Sequence, residues 1–523
     1  MDRIEAVGGP AGSAVQPSEV AFTDRLPWRT ALFVFLSCTF VYFATRSPAL
    51  DEWDSVQFAL GAGEFNLWKH QPHPPGYPLY IALGWLAQRL FGLDVVTALA
   101  LVSALGGGLF VACWFALLAR RFEAPVVWLS VISTAGLLVT WMTATKVLTD
   151  SLGAGLLALQ LFAAQAYRHS ERQSLGPLAL VGLAGAFAAG ARPQNFAVIL
   201  LILILTLTTG RSSPKIWSFG IGIFVLGCLA WLVPTMWLQA QTSAANGDWL
   251  AYPHQLWNQW LWRLEKPKVF LGATGQTTEI LLAQLDRHFV GWLKRGFGFG
   301  PNLISGWLGI GVLAIGWALH FVDRRRAHSD GTAAAFWRHN LPWAVAYVAV
   351  IFCCLPGDQR YYLPIFPLLV LPAVAGWWSL PGFWRWSAGI VPLAVLVASL
   401  PYVPTNHKDE APPVRLIRFL QRQHPPTERP DVWLVLRDAR RHAEWYAGDF
   451  HLVRAENWDA TRWPDGWEDA RTIYTDDLLL AAAPSPPETT WQLSGRFYRS
   501  SLIYRKHNEA MLYRLQRNPA VTP

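Results

Sequence analysis

An acidic segment and a rigid turn lie close together in the polar stretch that follows the first apolar span. The acidic segment is Asp51-Glu52-Trp53-Asp54-Ser55, and the turn is His70-Gln71-Pro72-His73-Pro74-Pro75-Gly76-Tyr77-Pro78. The apolar neighbours Trp53 and Phe58 predict that Asp54 is partly buried, and burial desolvates a carboxylate. Such a carboxylate can take the proton of a hydroxyl while that hydroxyl attacks an electrophile. Asp54 is therefore the first candidate for a catalytic base.

The neighbours of Asp54 offer further polar groups. Asp51 and Glu52 could act as a second acid, bind a cation or simply be solvated. The prolines of the turn fix φ and remove hydrogen-bond donors, which predicts one backbone shape for the loop. His70 and His73 could hydrogen-bond an acceptor or hold a phosphate, because histidine titrates near neutrality. Alternatively the turn, with Tyr77, only shapes the loop that leads into the next helix, and a two-histidine metal site is the weaker interpretation.

The composition indicates a membrane protein. Of the 523 residues, 53% are hydrophobic and only 15% are charged, unlike an ordinary soluble protein. A helix needs about 20 mainly apolar residues to span a bilayer, and hydropathy predicts about eleven such spans. They cover residues 29–45, 94–118, 124–142, 149–167, 175–189, 195–209, 216–238, 301–322, 339–355, 361–378 and 387–400.

The positive charges predict the orientation of these spans. Basic residues cluster in alternate loops, which the positive-inside rule places in the cytoplasm. These are Arg120-Arg121, Arg168 with Arg172, Arg211 with Lys215, Arg324-Arg325-Arg326 with Arg338, and Arg385. The opposite loops, including the acidic segment, would then lie on the external (periplasmic) face of a cell membrane. The net charge of +8 suits this arrangement. The sequence has no basic run with interleaved aromatics, the pattern that would favour a nucleic-acid partner.

Two stretches are apolar on one face but too short to span. Residues 80–92 and 249–263 are predicted to be interfacial helices lying along the membrane. Trp257 and its neighbouring tryptophans would anchor the second helix at the interface, or offer a platform for a sugar or acceptor ring. All five cysteines fall in apolar stretches, which argues against a disulfide framework or a zinc site.

Three regions are expected. Residues 1–28 read as a disordered cytoplasmic tail, and residues 29–401 as the transmembrane region with catalytic external loops at 46–93 and 239–300. Prolines and charged residues become common after Pro401, which predicts an external α/β domain over 402–523. Its expected elements are helices over 414–423 and 440–446 and strands over 432–436, 450–453, 471–474, 497–504 and 510–515.

Four ionisable residues at external helix ends could hold a charged substrate. Arg360 and Arg192 have the geometry that suits phosphate, although snorkelling to the interface would also explain Arg360. Lys146 and Asp150 lie in another short external turn. Asp150 could be a second acid, or the two could form a plain ion pair at helical spacing.

Two motifs resemble a known family. Asp54-Ser55 followed by His73-Pro74-Pro75-Gly76-Tyr77-Pro78-Leu79-Tyr80 resembles the first external loop of the GT-C superfamily of membrane glycosyltransferases. The similar branch carries a "GDS … HPPGYPL" signature and is related to protein O-mannosyltransferases and lipid A aminoarabinose transferases. Trp53 stands where that branch usually has glycine. The run Arg360-Tyr361-Tyr362-Leu363-Pro364 resembles the superfamily's "RYxLPxxP" segment. The first motif covers about thirty residues of the chain.

The resemblance implies a fold and a reaction. The fold would be an α-helical polytopic membrane domain of GT-C type with interfacial helices and a small external α/β domain. The reaction would move a hexose such as mannose from a polyprenyl phosphate to a hydroxyl of a protein, lipid or glycan. Asp54 would act as the base and the anomeric centre would invert. Arg360, Arg192, Lys146, His73 and Tyr361 would bind the donor. No cofactor is implied with certainty, and a divalent cation is left open.

Two other functions share parts of this pattern. A transporter or flippase of lipid-linked sugars would show charged or Gly/Pro-broken segments at mid-membrane. Here the polar residues concentrate at external helix ends, which favours an enzyme. A ligase or polymerase that transfers a whole glycan would use the same donor chemistry, and the sequence does not separate it from a transferase of single sugars.

Overall fold

A computed structural model of the chain describes residues 28–170, 174–209, 213–272, 303–326, 331–354, 359–454, 466–482, 489–499 and 509–517. These residues form a long series of helices followed by one five-stranded sheet. Nearly all of the tail predicted over 1–28, and residues 273–300 of the second predicted catalytic loop, lie outside the described residues.

The helices follow the apolar segments of the sequence closely. In chain order they are α1 Trp28–Ala44, α2 Trp53–Gly63, α3 Pro78–Phe91, α4 Val95–Leu118, α5 Ala124–Gly136, α6 Leu138–Thr145, α7 Asp150–Arg168, α8 Leu175–Ala191, α9 Phe196–Thr209, α10 Pro214–Ala240, α11 Ala251–Gly272, α12 Leu303–Arg326, α13 Gly331–Cys354, α14 Phe366–Trp378, α15 Ile390–Ser399, α16 Tyr402–Lys408, α17 Pro412–Gln423, α18 Arg440–Tyr446 and α19 Leu478–Ala482.

Several of these helices can cross a bilayer. Among the described residues, four helical stretches are long and apolar enough, namely Val95–Leu118, Pro214–Ala240, Gln359–Trp378 and Gly382–Gln423. A fifth results if α5 and α6 count as one bent span, and shorter apolar helices include α1 and α8. The chain is a multi-pass membrane protein, and the count of eleven spans stays a prediction.

The prediction of one continuous span over residues 124–142 is wrong. It is two helices, α5 and α6, set at 54° to each other. The break lies at Leu137, whose backbone is extended with ψ 134°. The turn directs α6 so that it ends at Thr145, immediately before Lys146, and so places Lys146 near the first loop.

The centre of the helical region is the packing of α4 against α7. Most of α4 is buried, and small residues let the two backbones approach closely. A Cβ atom on Gly155 would lie 2.5 Å from the carbonyl oxygen of Gly106, and one on Gly106 would lie 2.4 Å from the Cα atom of Leu152. Such small-residue contacts are typical of helix pairs in membranes, where dispersion rather than the hydrophobic effect favours association.

The sheet has the strand order β2-β1-β3-β5-β4. Its strands are β1 Val432–Leu436, β2 His451–Arg454, β3 Thr472–Thr475, β4 Thr489–Tyr498 and β5 Glu509–Arg517. The strand β1 pairs in parallel with β2 and β3, whereas β5 is antiparallel to β3 and β4. The segment from α17 to β5 is called the C-terminal unit below.

Helix α17 supplies an apolar face to this unit. Leu416, Ile417 and Leu420 are each 0% exposed, as the amphipathic pattern predicts. The bounds of β1 and α18 agree with the sequence prediction. The strand predicted over 497–504 was placed too late, because β4 already begins at Thr489. Its first residues alternate between polar and apolar, which is the pattern of a half-buried strand, and the sequence prediction overlooked this signal.

The contact between α4 and α7 gives a test of the packing. Gly155→Ala places a methyl group against the backbone of Gly106, so the two helices must separate, and overpacking of this kind costs about 1–3 kcal/mol. We expect a lower melting temperature in detergent. The matched control is Gly222→Ala on α10, where a Cβ atom would meet nothing within 4 Å. Equal melting temperatures for the two variants would contradict the close packing.

Candidate active site

Asp54 lies in the first turn of α2, which follows the C-terminal end of α1 and a short linker. Glu52 is the N-cap residue, with an extended backbone, and Asp54 is the acidic residue of the first turn. The helix dipole favours a negative charge at this end. The Asp54 side chain is 29% exposed, so a substrate can reach its carboxylate while its surroundings are mostly protein.

Aromatic packing holds the Pro/Gly turn against α2. The ring of Phe58 lies edge-on to Tyr77 at 5.1 Å and to Tyr80 at 5.4 Å, and tilted against His73 at 5.5 Å. A Cβ atom on Gly61 would meet the Pro72 side chain at 2.5 Å, so only glycine lets helix and turn approach this closely. As a result Nε2 of His73 lies 4.0 Å from Oδ1 of Asp54.

The backbone of the turn has one required glycine. Gly76 has φ +94°, a conformation that side chains with a Cβ rarely adopt. Tyr77 follows with φ 48° and caps α3, which begins with Pro78. Proline suits the first position of a helix because its missing N–H would have no helical partner there. The two histidines of the turn therefore receive fixed and separate positions.

The two histidines of the turn contact different parts of the protein. His73 hydrogen-bonds Tyr77 through Nε2 at 3.2 Å, and the Gln194 amide donates to the same Tyr77 oxygen at 2.6 Å. His70 instead caps the short 3₁₀ turn Leu67–Lys69 and is exposed. Partial desolvation by the protein that covers one part of the ring, followed by the charges of Arg441 and Arg440, lowers the pKa of His70. His73 is thus the turn histidine that faces Asp54.

Helices α10 and α11 brace the turn and the residues before it from a distant part of the chain. The hydroxyl of Tyr252 donates to the Pro75 carbonyl at 2.9 Å, and the side-chain oxygen of Gln239 accepts from the Leu67 amide at 3.2 Å. Tyr252 is 0% exposed, whereas Trp257 on the same helix is 64% exposed. The sequence analysis singled out Trp257, one of several neighbouring tryptophans, and missed Tyr252, whose side chain contacts the turn.

Arg360 contacts Asp54 across 306 positions of sequence. Its Nη2 donates to Oδ2 of Asp54 at 2.5 Å, and its guanidinium lies 5.2 Å from the ring centre of Tyr361. The Arg360 side chain is 18% exposed. The first-loop carboxylate and the "RYxLPxxP"-like segment therefore meet in one partly open site, with His73 on the other carboxylate oxygen.

Arg192 lies beneath this site and pairs with Asp150. The guanidinium donates to the Asp150 carboxylate, and the two residues are only 5% and 4% exposed. The ring of Tyr361 lies 4.9 Å from the Arg192 guanidinium, so Tyr361 stands between the two arginines. Much of the positive charge of Arg192 is neutralised by Asp150 before any substrate arrives.

Lys146 has a different partner from the one that helical spacing suggested. Its Nζ lies 2.9 Å from Oε1 of Glu52 and 3.9 Å from Oδ2 of Asp51. The alternative of a Lys146–Asp150 pair is therefore wrong, since each residue has its own partner. The extended backbone of Lys146, which ends α6, turns its side chain back toward the first loop. Lys146 is 1% exposed.

The described residues contain no cluster of three or more His, Cys, Asp or Glu side chains that could hold a metal ion. Within this part of the chain the acidic residues of the site are paired with cations instead. Asp54 pairs with Arg360, Asp150 with Arg192, and Glu52 with Lys146. The arrangement can present one carboxylate to a hydroxyl and a guanidinium to an anion at the same place.

Comparison with known proteins supports the fold. No family model matches the chain. The crystal structure of apo ArnT from Cupriavidus metallidurans matches 93% of this chain and 98% of its own, with a TM-score of 0.51 and 12% identity. ArnT bound to undecaprenyl phosphate matches 93% of this chain and 97% of its own, with a TM-score of 0.49 and 12% identity. The likeness to apo ArnT confirms the expected GT-C fold.

One curated relative matches by sequence. An 81-residue stretch, 15% of this chain, is 28% identical to protein O-mannosyl-transferase tmem260 of Dictyostelium discoideum. The match spans 9% of that protein. It is a local likeness to a protein that carries the name of a mannosyltransferase.

The buried Arg192–Asp150 pair gives a test. Asp150→Asn leaves the Arg192 charge buried without its carboxylate, which costs on the order of 3–5 kcal/mol. We expect a clear fall in melting temperature, and partial recovery in the double variant Asp150→Asn with Arg192→Gln. Glu64→Gln is the control, because its pair with Lys69 is exposed on both sides (54% each) and such pairs contribute little. Equal stability of Asp150→Asn and Glu64→Gln would contradict a buried charge pair.

Proposed function

We propose that the chain is a membrane glycosyltransferase that moves a sugar from a polyprenyl phosphate to a hydroxyl acceptor. The observation that carries this proposal is the position of Asp54, whose partly exposed carboxylate lies between Arg360 at 2.5 Å and His73 at 4.0 Å. One site thus offers a base and an anion-binding group, the two functions that transfer from a phosphate leaving group needs.

The proposed reaction is a single displacement at the anomeric carbon. The acceptor hydroxyl gives its proton to Asp54 and forms a bond to the anomeric carbon. The bond from that carbon to the phosphate oxygen breaks on the opposite face, so the configuration inverts. The electron pair of the broken bond leaves with the polyprenyl phosphate. Arg360 then stabilises the added negative charge, because guanidinium groups bind phosphate oxygens in a bidentate manner.

Arg360 would change partner during donor binding. A phosphate carries several acceptor oxygens arranged for a guanidinium fork, so it competes with the single Asp54 oxygen for Arg360. Once Arg360 contacts the phosphate, the Asp54 carboxylate can accept a hydrogen bond from the acceptor hydroxyl. Binding of the donor would in this way prepare the base for catalysis.

The other site residues have supporting roles in this proposal. His73 is in reach of both Asp54 and the incoming phosphate, and Tyr77 with Gln194 holds its ring in place. Tyr361 separates Arg360 from Arg192. Arg192 contributes a small positive potential to the site, because Asp150 neutralises most of its charge.

The donor, the acceptor and the membrane face are finer parts of the proposal. ArnT has been crystallised with undecaprenyl phosphate, which makes a polyprenyl phosphate carrier the first choice to test, and the name of tmem260 makes mannose the first sugar. The basic residues of the alternate loops support an active site on the external face of the cell membrane. The acceptor is a hydroxyl of a protein, a lipid or a glycan.

Turnover by an Asp54 variant tests the function. Asp54→Asn keeps the size of the side chain and removes the base, so release of polyprenyl phosphate should fall by roughly 10²–10⁴-fold, the usual contribution of a general base. The protein would be assayed in lipid nanodiscs with a panel of polyprenyl-phosphate sugars and membrane extract as acceptor. Glu64→Gln at the end of the same helix is the control and should keep full turnover.

Other outcomes would replace the proposal. If wild-type protein consumes no donor in the panel, the enzyme function fails. If donors only move between leaflets, a flippase is the better description. If Asp54→Asn turns over like Glu64→Gln, the base is another residue. Transfer of long glycans in preference to single sugars would indicate a ligase or polymerase.

Arg360 gives a separate prediction about donor affinity. Arg360→Met removes the hydrogen bonds to the phosphate, which are worth about 1.5–3 kcal/mol when one partner is charged. The Kd for the polyprenyl-phosphate sugar should therefore rise by about ten- to a hundredfold, as measured by tryptophan fluorescence or by competition. Arg360→Lys should recover part of the affinity through its charge alone. Unchanged donor affinity in Arg360→Met would contradict the phosphate role.

A further inference from the structure

The residues directly before α2 are clamped by a buried group of charges. Asp51 is 1% exposed. Its Oδ2 accepts from the Ser47 hydroxyl at 2.6 Å and lies 3.9 Å from Nζ of Lys146, and its Oδ1 lies 3.6 Å from Nη1 of Arg499. The side chains of Lys146 and Arg499 are 1% and 2% exposed. These two cations are thus closed off from any substrate.

This charge group joins three distant parts of the chain. Asp51 belongs to the first loop, Lys146 to the end of α6, and Arg499 to the residue after β4 in the C-terminal unit. Charges are expensive to bury, and removing one member of such a group leaves its partner uncompensated. The group therefore specifies one arrangement of the first loop between the helices and the C-terminal unit.

Backbone hydrogen bonds reinforce the clamp on both sides of Asp51. The Leu50 amide donates to the hydroxyl of Tyr446 at 2.9 Å, and Nε2 of His442 lies 3.3 Å from the Asp51 carbonyl oxygen. Both Tyr446 and His442 belong to α18 of the C-terminal unit. Burial raises the pKa of Tyr446 to about 12, so its hydroxyl stays neutral. Arg499 also donates to the Thr405 carbonyl at 2.5 Å.

The clamp ends where the catalytic helix begins. Asp51 is held from three directions, Glu52 caps α2, and Asp54 follows in the first turn of that helix. A displacement of Asp51 would move the start of α2 and with it the Asp54 carboxylate. A displacement of about 1 Å of a catalytic group can cost on the order of a hundredfold in rate.

We propose that Arg499, together with Tyr446 and His442, makes the C-terminal unit a positioning part of the active site, by holding Asp51 and so the Asp54 base in place. This proposal rests on the function proposed above. It assigns the C-terminal unit a role in the rate of the chemical step. A role confined to acceptor capture would need exposed groups, whereas His442 and Arg499 are buried and Tyr446 is partly buried against the first loop.

The test compares two arginines of the same strand region. Arg499→Met removes the clamp charge, and Arg496→Met is the matched control because Arg496 is 52% exposed and pairs with Glu509 at the surface. Amide hydrogen exchange in nanodiscs would be followed in peptides covering residues 47–58. We expect exchange there to accelerate by roughly tenfold or more in Arg499→Met, as local opening becomes easier, and to stay unchanged in Arg496→Met.

Kinetics separate positioning from general destabilisation. In Arg499→Met we expect kcat to fall by roughly tenfold or more while the Kd for the donor changes less than about twofold, because the misplaced group is the base and not the phosphate site. Arg499→Lys should restore part of kcat. Parallel loss of kcat and donor affinity, or unchanged kcat with unchanged exchange, would overturn the proposal.

A second variant covers the case in which Arg499→Met does not fold. Tyr446→Phe removes only the hydroxyl that accepts from Leu50 and keeps the ring, and it should raise exchange over residues 47–58 and lower kcat in the same sense. Unchanged exchange and kcat in this variant would count against the clamp. The exchange measurement needs no substrate, so it judges the clamp even if no donor is consumed by the wild type and the proposed function fails.

Discussion

The contact between the Asp54 carboxylate and the Arg360 guanidinium is the interaction on which the proposed chemistry depends. It joins the loop after α1 to a segment near the end of the helical region, at 2.5 Å. A carboxylate alone at a membrane surface would be an ordinary solvated acid. Beside a guanidinium that prefers phosphate, we propose that the same carboxylate acts as a base once the phosphate of the donor has taken Arg360 from it.

The surrounding structure holds the Asp54 carboxylate and the Arg360 guanidinium in place. Phe58 and Gly61 bring the turn against α2, and Tyr252 braces that turn from α11. The buried pairs of Lys146 and Arg192 lie behind the site and fix the helix ends around it. The charges around the site thus divide into two sets, of which one is buried and holds the first loop while the other is partly exposed.

The sequence predicted many of the helices and the partial burial of Asp54, because apolar patterns and apolar neighbours are local signals. It also placed Arg360 near the site through the "RYxLPxxP"-like run. It could not predict which charged residues form pairs, because the pairs Arg192–Asp150 and Arg499–Asp51 join segments that are distant in sequence. Local spacing suggested Lys146 with Asp150 instead, and the bend at Leu137 that redirects Lys146 carries no strong sequence signal.

The most direct measurement is a cryo-EM structure of the protein with an unreactive polyprenyl-phosphate sugar analogue in nanodiscs. The account predicts that Arg360 leaves Asp54 and holds phosphate oxygens at about 3 Å, the usual length of such hydrogen bonds, while the anomeric carbon faces the Asp54 carboxylate. A phosphate bound elsewhere, with Arg360 still on Asp54, would contradict the account.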